Sequence, residues 1–279
     1  MRLRIDHVTL AASRLETLQQ AFAETGLTTD YGGPHSNGIT HMSLLGFTDG
    51  SYIELISTLA PAQASPWWHT HISGNGGLCA WALEVADVAA EAQRLARLGV
   101  TIDGPHHLHR LRPDGRRVEW DLAFVGDHGP GALLPFIIKD RTPRDYRVSP
   151  SVSVRNTELT GVAMIVLAVD QVETAAEQFC ELYDLASPVH ADWPELGLRV
   201  AIFVDRPFIL AAPLAPQAWL RERLHRFGPS PCACLIGTSD MALSLERLSL
   251  TPASDWDGRQ VAWFATPLME RNRIGIISL

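Results

Sequence analysis

The chain has no run of about 20 apolar residues, so no membrane-spanning helix is expected. Its start, Met1-Arg2-Leu3-Arg4-Ile5-Asp6-His7, lacks the apolar stretch of a secretory leader. Cysteine is scarce. Four in 279 residues make no disulfide framework. Cys232 and Cys234 form a C-x-C pair with no second pair at zinc-finger spacing, and they read as small buried thiols in a strand. A cytoplasmic location is the resulting expectation. Basic charge is also short: Lys+Arg 23 against Asp+Glu 31 gives 23 − 31 = −8. An acidic chain without a basic, aromatic-studded stripe is a poor partner for nucleic acid. Three motifs are missing as well. Without G-x-x-x-x-G-K-[ST] or G-x-G-x-x-G there is no nucleotide cradle, and without G-x-S-x-G there is no nucleophile elbow.

What is present is a globular composition, 46% hydrophobic and 19% charged, enough for one large or two medium domains. The first 60 residues have a clear grammar. Residues 3–10 alternate as a strand, with Ile5, His7 and Thr9 on one face and Asp6, Val8 and Leu10 on the other. Ser13-Arg14-Leu15-Glu16 is a capping-box pattern ahead of a helix through Leu15, Leu18 and Phe22, with Gly26 past its end. Strand-like segments follow at 27–31, 40–47 and 52–57. The order is β-α-β-β-β, and it recurs. A second copy runs from a strand at 78–85 through a helix capped by Asp87 and ended by Gly99 to strands at 118–125 and 133–138. A third starts at 162–169, has a cap-like Asp170-Gln171-Val172-Glu173, and closes with strands at 198–204 and 208–212. A fourth, shorter copy runs from Cys232 through a helix near Met241 to strands at 261–265 and 274–277. Aligning the copies sets His7 over Met164 and Glu54 over Leu210, with Trp81 and Phe136 as their counterparts in the second copy. The expected architecture is α+β: paired βαβββ units on curved mixed sheets, four units in two similar halves. The expected organisation is a first domain over 1–140 (units at about 3–58 and 78–140), a linker over 141–160, and a second, degenerate domain over 161–279.

Paired βαβββ units of this kind resemble the vicinal oxygen chelate superfamily, which includes glyoxalases, extradiol dioxygenases and bleomycin-resistance proteins. The glyoxalase-like branch is the closer match. The residues that carry the resemblance are Ile5-Asp6-His7-Val8, Gly32-Gly33-Pro34-His35, Gly38-Ile39-Thr40-His41 and Ser51-Tyr52-Ile53-Glu54-Leu55-Ile56, followed by Arg112-Pro113-Asp114-Gly115, Trp120 and Leu134-Pro135-Phe136-Ile137-Ile138. It covers about the first 140 residues well and the rest by repeat pattern. In the superfamily, metal ligands project into the cup from the first and last strands of each unit. The resemblance thus implies a cup in the first half with His7 and Glu54 as ligands.

Histidine and carboxylate donors suit Zn, Fe, Mn or Ni. The other two positions of a four-ligand set are apolar here, so further donors would have to come from His35 and His41. Nine of the eleven histidines lie in the first 128 residues, including His69 and His71 and the His106-His107-Leu108-His109 run. This places any metal or acid–base chemistry in the N-terminal half, although histidine clusters of this kind also occur on solvated loops. Without metal, Glu54 is a candidate general base, its pKa raised by an apolar cup, with His7 or His41 to orient it or to polarise a carbonyl oxygen. Arg112 suits a carboxylate. Trp68, Trp81, Trp120 and Phe136 suit the walls of a pocket for a flat or apolar molecule, with core packing as the alternative. Two functions follow as expectations. One is a small-molecule lyase, isomerase or oxygenase using the His/Glu site. The other is a metal-free protein that sequesters a small aromatic or amphipathic compound. A homodimer is compatible with either.

Overall fold

The computed structural model describes residues 3–256 and 258–279, so Met1 and Arg2 of the N-terminal reading lie outside the described residues. The first unit is β1 (Arg4–Ala11), α1 (Leu15–Glu24), β2 (Asp30–Pro34), β3 (Thr40–Gly46) and β4 (Tyr52–Thr58). After a one-turn helix, α2 (His69–Ser73), the second unit is β5 (Gly77–Glu84), α3 (Val88–Arg97), β6 (Ile102–Leu111), β7 (Arg117–Val125) and β8 (Phe136–Asp140). The short α4 (Arg144–Arg147) precedes the third unit of β9 (Leu159–Ala168), α5 (Val172–Tyr183), β10 (Val189–Trp193), β11 (Leu198–Ile202) and β12 (Phe208–Pro213). Next come α6 (Trp219–Phe227) and the fourth unit: β13 (Ser230–Thr238), α7 (Met241–Arg247), β14 (Ser254–Trp256), β15 (Arg259–Trp263), α8 (Pro267–Asn272) and β16 (Ile274–Ser278).

The two eight-stranded sheets have matching orders, β2-β3-β4-β1-β5-β8-β7-β6 and β10-β11-β12-β9-β13-β16-β15-β14. Within each unit the first strand pairs parallel with the last, as β1 does with β4. The first strands of paired units meet antiparallel at the sheet centre. The α+β architecture of four βαβββ units in two halves is therefore the observed one. Among the described residues, no helix is long and apolar enough to cross a membrane.

Local signals account for much of this. Asp87 accepts from the Ala90 backbone N–H at 3.0 Å and caps α3. Gly99 takes the left-handed conformation just past its end. The other two caps differ from expectation. Arg14 and Gln171 occupy the N-cap positions of α1 and α5 without side-chain caps, and Ser13 instead donates to the Asn75 side chain at 2.9 Å. Strands β6, β10 and β14 were not expected. β6 contains Gly104-Pro105 and three histidines, a composition that argues against a strand, but it lies at the sheet edge, where proline is tolerated. The 141–160 segment is more than a tether, because α4 sends Arg144 and Arg147 back to Asp6.

One apolar core runs through both halves, from Leu10, Phe22 and Trp81 to Phe179 and Phe208. The concave faces differ. That of the second sheet is filled by Met164, Val166, Ile209 and Leu235 and packed by Leu220 and Leu224 of α6. That of the first sheet is open. The halves approach closely at Gly77, where φ is +68° and an added Cβ would lie 1.7 Å from Asn272 Oδ1. Gly77→Ala is expected to cost about 2–4 kcal/mol, combining left-handed strain with overpacking. Gly99→Ala, with φ +83° but open space around the new methyl, is expected to cost only the strain, about 1–2 kcal/mol. Equal losses in thermal unfolding would show that the halves do not press together there.

Candidate functional site

Strand parity aims Tyr52, Glu54 and Ile56 of β4 at the concave face, together with His7 and Thr9 of β1. The β1–β4 register sets His7 beside Tyr52 and Thr9 beside Glu54. Asp6 departs from parity. A bulge between Ile5 and His7 leaves it out of the β1–β5 ladder. It therefore shares the side of His7, with its Oδ1 2.6 Å from His7 Nδ1.

The cavity is about 680 Å³, counting its open mouth. Its walls are apolar and aromatic: Trp67 and Trp68 on one side, Leu108, Trp120, Leu122 and Phe124 on another, and Met42 and Leu44 beside Glu54. Its floor is polar. The His7 ring stacks on Tyr52 at 4.5 Å, meets Phe136 edge-on at 5.2 Å, and holds Nε2 3.9 Å from Glu54 Oε2. Thr9 Oγ1 donates to Glu54 Oε2 at 3.0 Å, and His35 Nε2 lies 3.2 Å from Oε1.

Glu54 is 6% exposed. Burial pushes its carboxyl up, but the hydrogen bond and charge of His35, the charge of His7 and the Thr9 hydroxyl outweigh burial and hold it at about 2. This corrects the expected raised pKa: the apolar walls are there, but the carboxylate's own neighbours are donors. A group ionised at every working pH is a poor base at neutrality. It also makes stability acid-sensitive. Unfolding returns Glu54 to its ordinary 4.5, so between pH 4.5 and about 2 the unfolded chain binds a proton that the folded chain does not. Its contribution, about 3 kcal/mol, is complete above pH 4.5 and lost as pH falls through that window. Denaturant titrations from pH 6 to pH 3 should show about 2 kcal/mol of that loss in the wild type and a flatter profile in Glu54→Gln.

Behind His7 lies a buried ion network. Asp6 is 1% exposed. Arg147 grips it with both terminal nitrogens at 2.8 Å, and Arg144 reaches it at 2.5 Å. Arg147 also donates to Tyr52 Oη at 2.8 Å and to both oxygens of Asp140. Burial pushes the Asp6 carboxyl up, and Arg147, His7 and Arg144 together bring it well below its ordinary value. Arg110, 4% exposed, donates to the Gly32 carbonyl and lines the same cavity.

The expected site residues divide cleanly. His7, His35, Glu54, Trp68, Trp120 and Phe136 line the cavity. His41 does not: it alternates with Met42 and Leu44, which face the cup, and meets Tyr31 instead. Trp81 points into the core between the halves, donates to the Leu133 carbonyl at 3.1 Å and packs against Phe208. Arg112 lies outside the cavity and donates to the Tyr146 carbonyl at 2.9 Å. His106, His107 and His109 sit on β6, not on a loop. The repeat alignment also shifts in three places, by one residue at Trp81 and Leu210 and by two at Phe136. Phe136 pairs with Ala82 as Tyr52 pairs with His7, so Ala82 and Ile138 are the counterparts of His7 and Glu54. In the third unit Ile209, not Leu210, stands where Glu54 does.

Metal fit fails on the donors. Ala82 and Ile138, at the other two positions of a four-ligand set, offer none. Among the described residues, no group of three or more His, Cys, Asp or Glu side chains is arranged to hold an ion. The residues present do not make the divalent site that the resemblance implies.

Tyr52, Asp6, Arg110 and Arg147 were not singled out as site residues from sequence. A family model described as a glyoxalase-like domain matches residues 5–183. No curated protein matches the chain. Among solved structures, the chain is similar to a hypothetical protein from Staphylococcus aureus, with 14% identity and a TM-score of 0.65, over 99% of this chain and 100% of that one. That likeness is one of fold. A methylmalonyl-CoA epimerase from Mycobacterium tuberculosis matches with 17% identity and a TM-score of 0.39, over 45% of this chain and 91% of that one. A variant of the Streptomyces coelicolor methylmalonyl-CoA epimerase, in complex with 2-nitronate-propionyl-CoA, matches with 14% identity and a TM-score of 0.36, over 43% and 97%.

Proposed function

Since the chain belongs to the glyoxalase-like domain family of the vicinal oxygen chelate superfamily, we propose that it is a small-molecule enzyme whose first-half cup works by proton transfer at His7. One observation carries this reading: the buried Asp6–His7 pair directs Nε2 at the floor of an aromatic-walled cavity. An ionised Asp6 only accepts, so the proton on His7 sits at Nδ1 and the lone pair at Nε2. Nε2 then takes a proton from a C–H beside a carbonyl and returns it at the same or a neighbouring atom, which is isomerase or lyase chemistry. Glu54, 3.9 Å away, stabilises the imidazolium that forms, as the ionised carboxylate of a catalytic triad does. The guanidinium of Arg110 at the cavity wall supplies a positive field for the developing oxyanion. The walls select a molecule with a flat or apolar body.

A binding protein without turnover is the second reading, and the observation favouring it is the aromatic lining of the cup. One experiment separates the two. Carbonyl compounds that quench the tryptophans of the cup are incubated with the protein in D2O, and deuterium incorporation is followed by NMR. Exchange in the wild type that vanishes in His7→Ala, with quenching retained, supports the enzyme. Quenching without exchange supports the binding protein. A stoichiometric divalent metal in the purified chain, lost in His7→Ala, would overturn the metal-free mechanism.

A further inference from the structure

Where the turn into β5 meets α6 and α8, the halves leave a second cleft of about 750 Å³, well separated in chemistry from the cup. Arg223 and Arg226 of α6 line it, as do Arg271 of α8 and Arg273 just beyond it. Glu222 and Glu270 line it too, so the balance is 4 − 2 = +2 in a chain of net charge −8. Elsewhere some exposed arginines find carboxylates, as Arg117 does with Glu119, Arg141 with Asp121 and Arg199 with Glu173, while others such as Arg97 and Arg221 have no ion pair among the described residues. Among the described residues, none of the four cleft guanidiniums has one.

Arg223 ties the halves together through the Gly76, Leu78 and Pro231 carbonyls, yet its buried Nε has no partner among the described residues. Arg226 donates to the Gly74 carbonyl at 2.9 Å. Arg273 Cζ sits 3.9 Å over the Trp219 ring, a cation–π contact that pairs it with no carboxylate. Next to this group His71 stacks on Phe227 at 4.7 Å, and burial and the charge of Arg223 hold it down at about 3. Cations near the last carbonyls of helices are favourable in themselves, and that accounts for Arg226 in the last turn of α6 and Arg271 in the last turn of α8. It does not account for Arg223, which precedes the last turn of α6, and the Arg271 side chain makes no hydrogen bond or ion pair among the described residues.

We propose that this cleft binds an oxyanion, the phosphate or carboxylate group of a small molecule, gripped by Arg271 and Arg273 with Arg226 at its side. Planar guanidinium forks suit both anions, and all three of these arginines come from the second half. The test is calorimetric titration of the full chain with inorganic phosphate and, separately, acetate, at fixed ionic strength. Saturable binding at one site per chain is expected. Arg271→Ala, an exposed position with no fold contact to lose, should weaken it about tenfold, the loss of a charge-assisted hydrogen bond. Glu270→Gln should tighten it by removing a like charge. The probe with the higher affinity names the group. No saturable heat with either probe at millimolar concentration, or an affinity unmoved by Arg271→Ala, overturns the proposal. The second result would also place the anion elsewhere, including in the cup.

Discussion

Replacing His7 with alanine is expected to slow deuterium exchange by about 10²–10⁴-fold, the range that a positioned acid–base group supplies. Ligand quenching of the cup tryptophans should change little, because the walls that bind the apolar body lie on other segments, Trp67 and Trp68 before α2 and Trp120 on β7. The double variant tests the roles. Glu54 touches the proton-transfer step only through His7, at 3.9 Å. Glu54→Gln should therefore slow exchange in the wild-type background and add almost nothing to His7→Ala, because groups that act as a unit are not additive. If the two losses multiply, Glu54 acts on the substrate directly, and the division of labour argued above is wrong.

Local pattern revealed the architecture and part of the site, and the misses have a common physical cause. Alternation around His7 and Glu54 aimed both at one face, because a side-chain period of two is a property of the strand alone. The same rule separates His41 from Met42, so His41 was excludable from parity; its nearness in sequence to His35 drew it in. Trp81 and Leu210 needed information that no single strand carries. A register slip of one residue turns a side chain to the opposite face, and here the register is set by pairing with β8 and β9. Asp6 was assigned to the far side because a bulge leaves no mark in an alternating segment. Arg147 was hidden by its surroundings. Charge, proline and serine around it read as a linker, and only a contact 141 residues back along the chain shows what it does.

That contact carries the other large expected effect. Asp6→Ala should destabilise the fold by about 3–5 kcal/mol, since removing one partner of a buried ion pair strands the other. Arg147 would keep Asp140 but lose both bonds to Asp6, Arg144 would lose one, and His7 would lose its acceptor. Asp6→Asn keeps the volume and one acceptor oxygen, so its stability cost should be smaller. Its effect on catalysis should not be smaller. The amide can present N–H toward His7 Nδ1, which moves the imidazole proton to Nε2 and removes the lone pair that faces the cavity. Acid dependence gives an independent check. The folded Asp6 carboxyl lies well below its ordinary 3.8, so its stabilisation is complete above that value and lost as pH falls through the folded one. Urea titrations near neutrality and near pH 3 should therefore show a smaller drop for Asp6→Asn than for the wild type. A variant that keeps full stability but loses exchange would confine Asp6 to orienting His7. One that loses stability and keeps exchange would make the ion network purely architectural and remove the orienting partner from the mechanism.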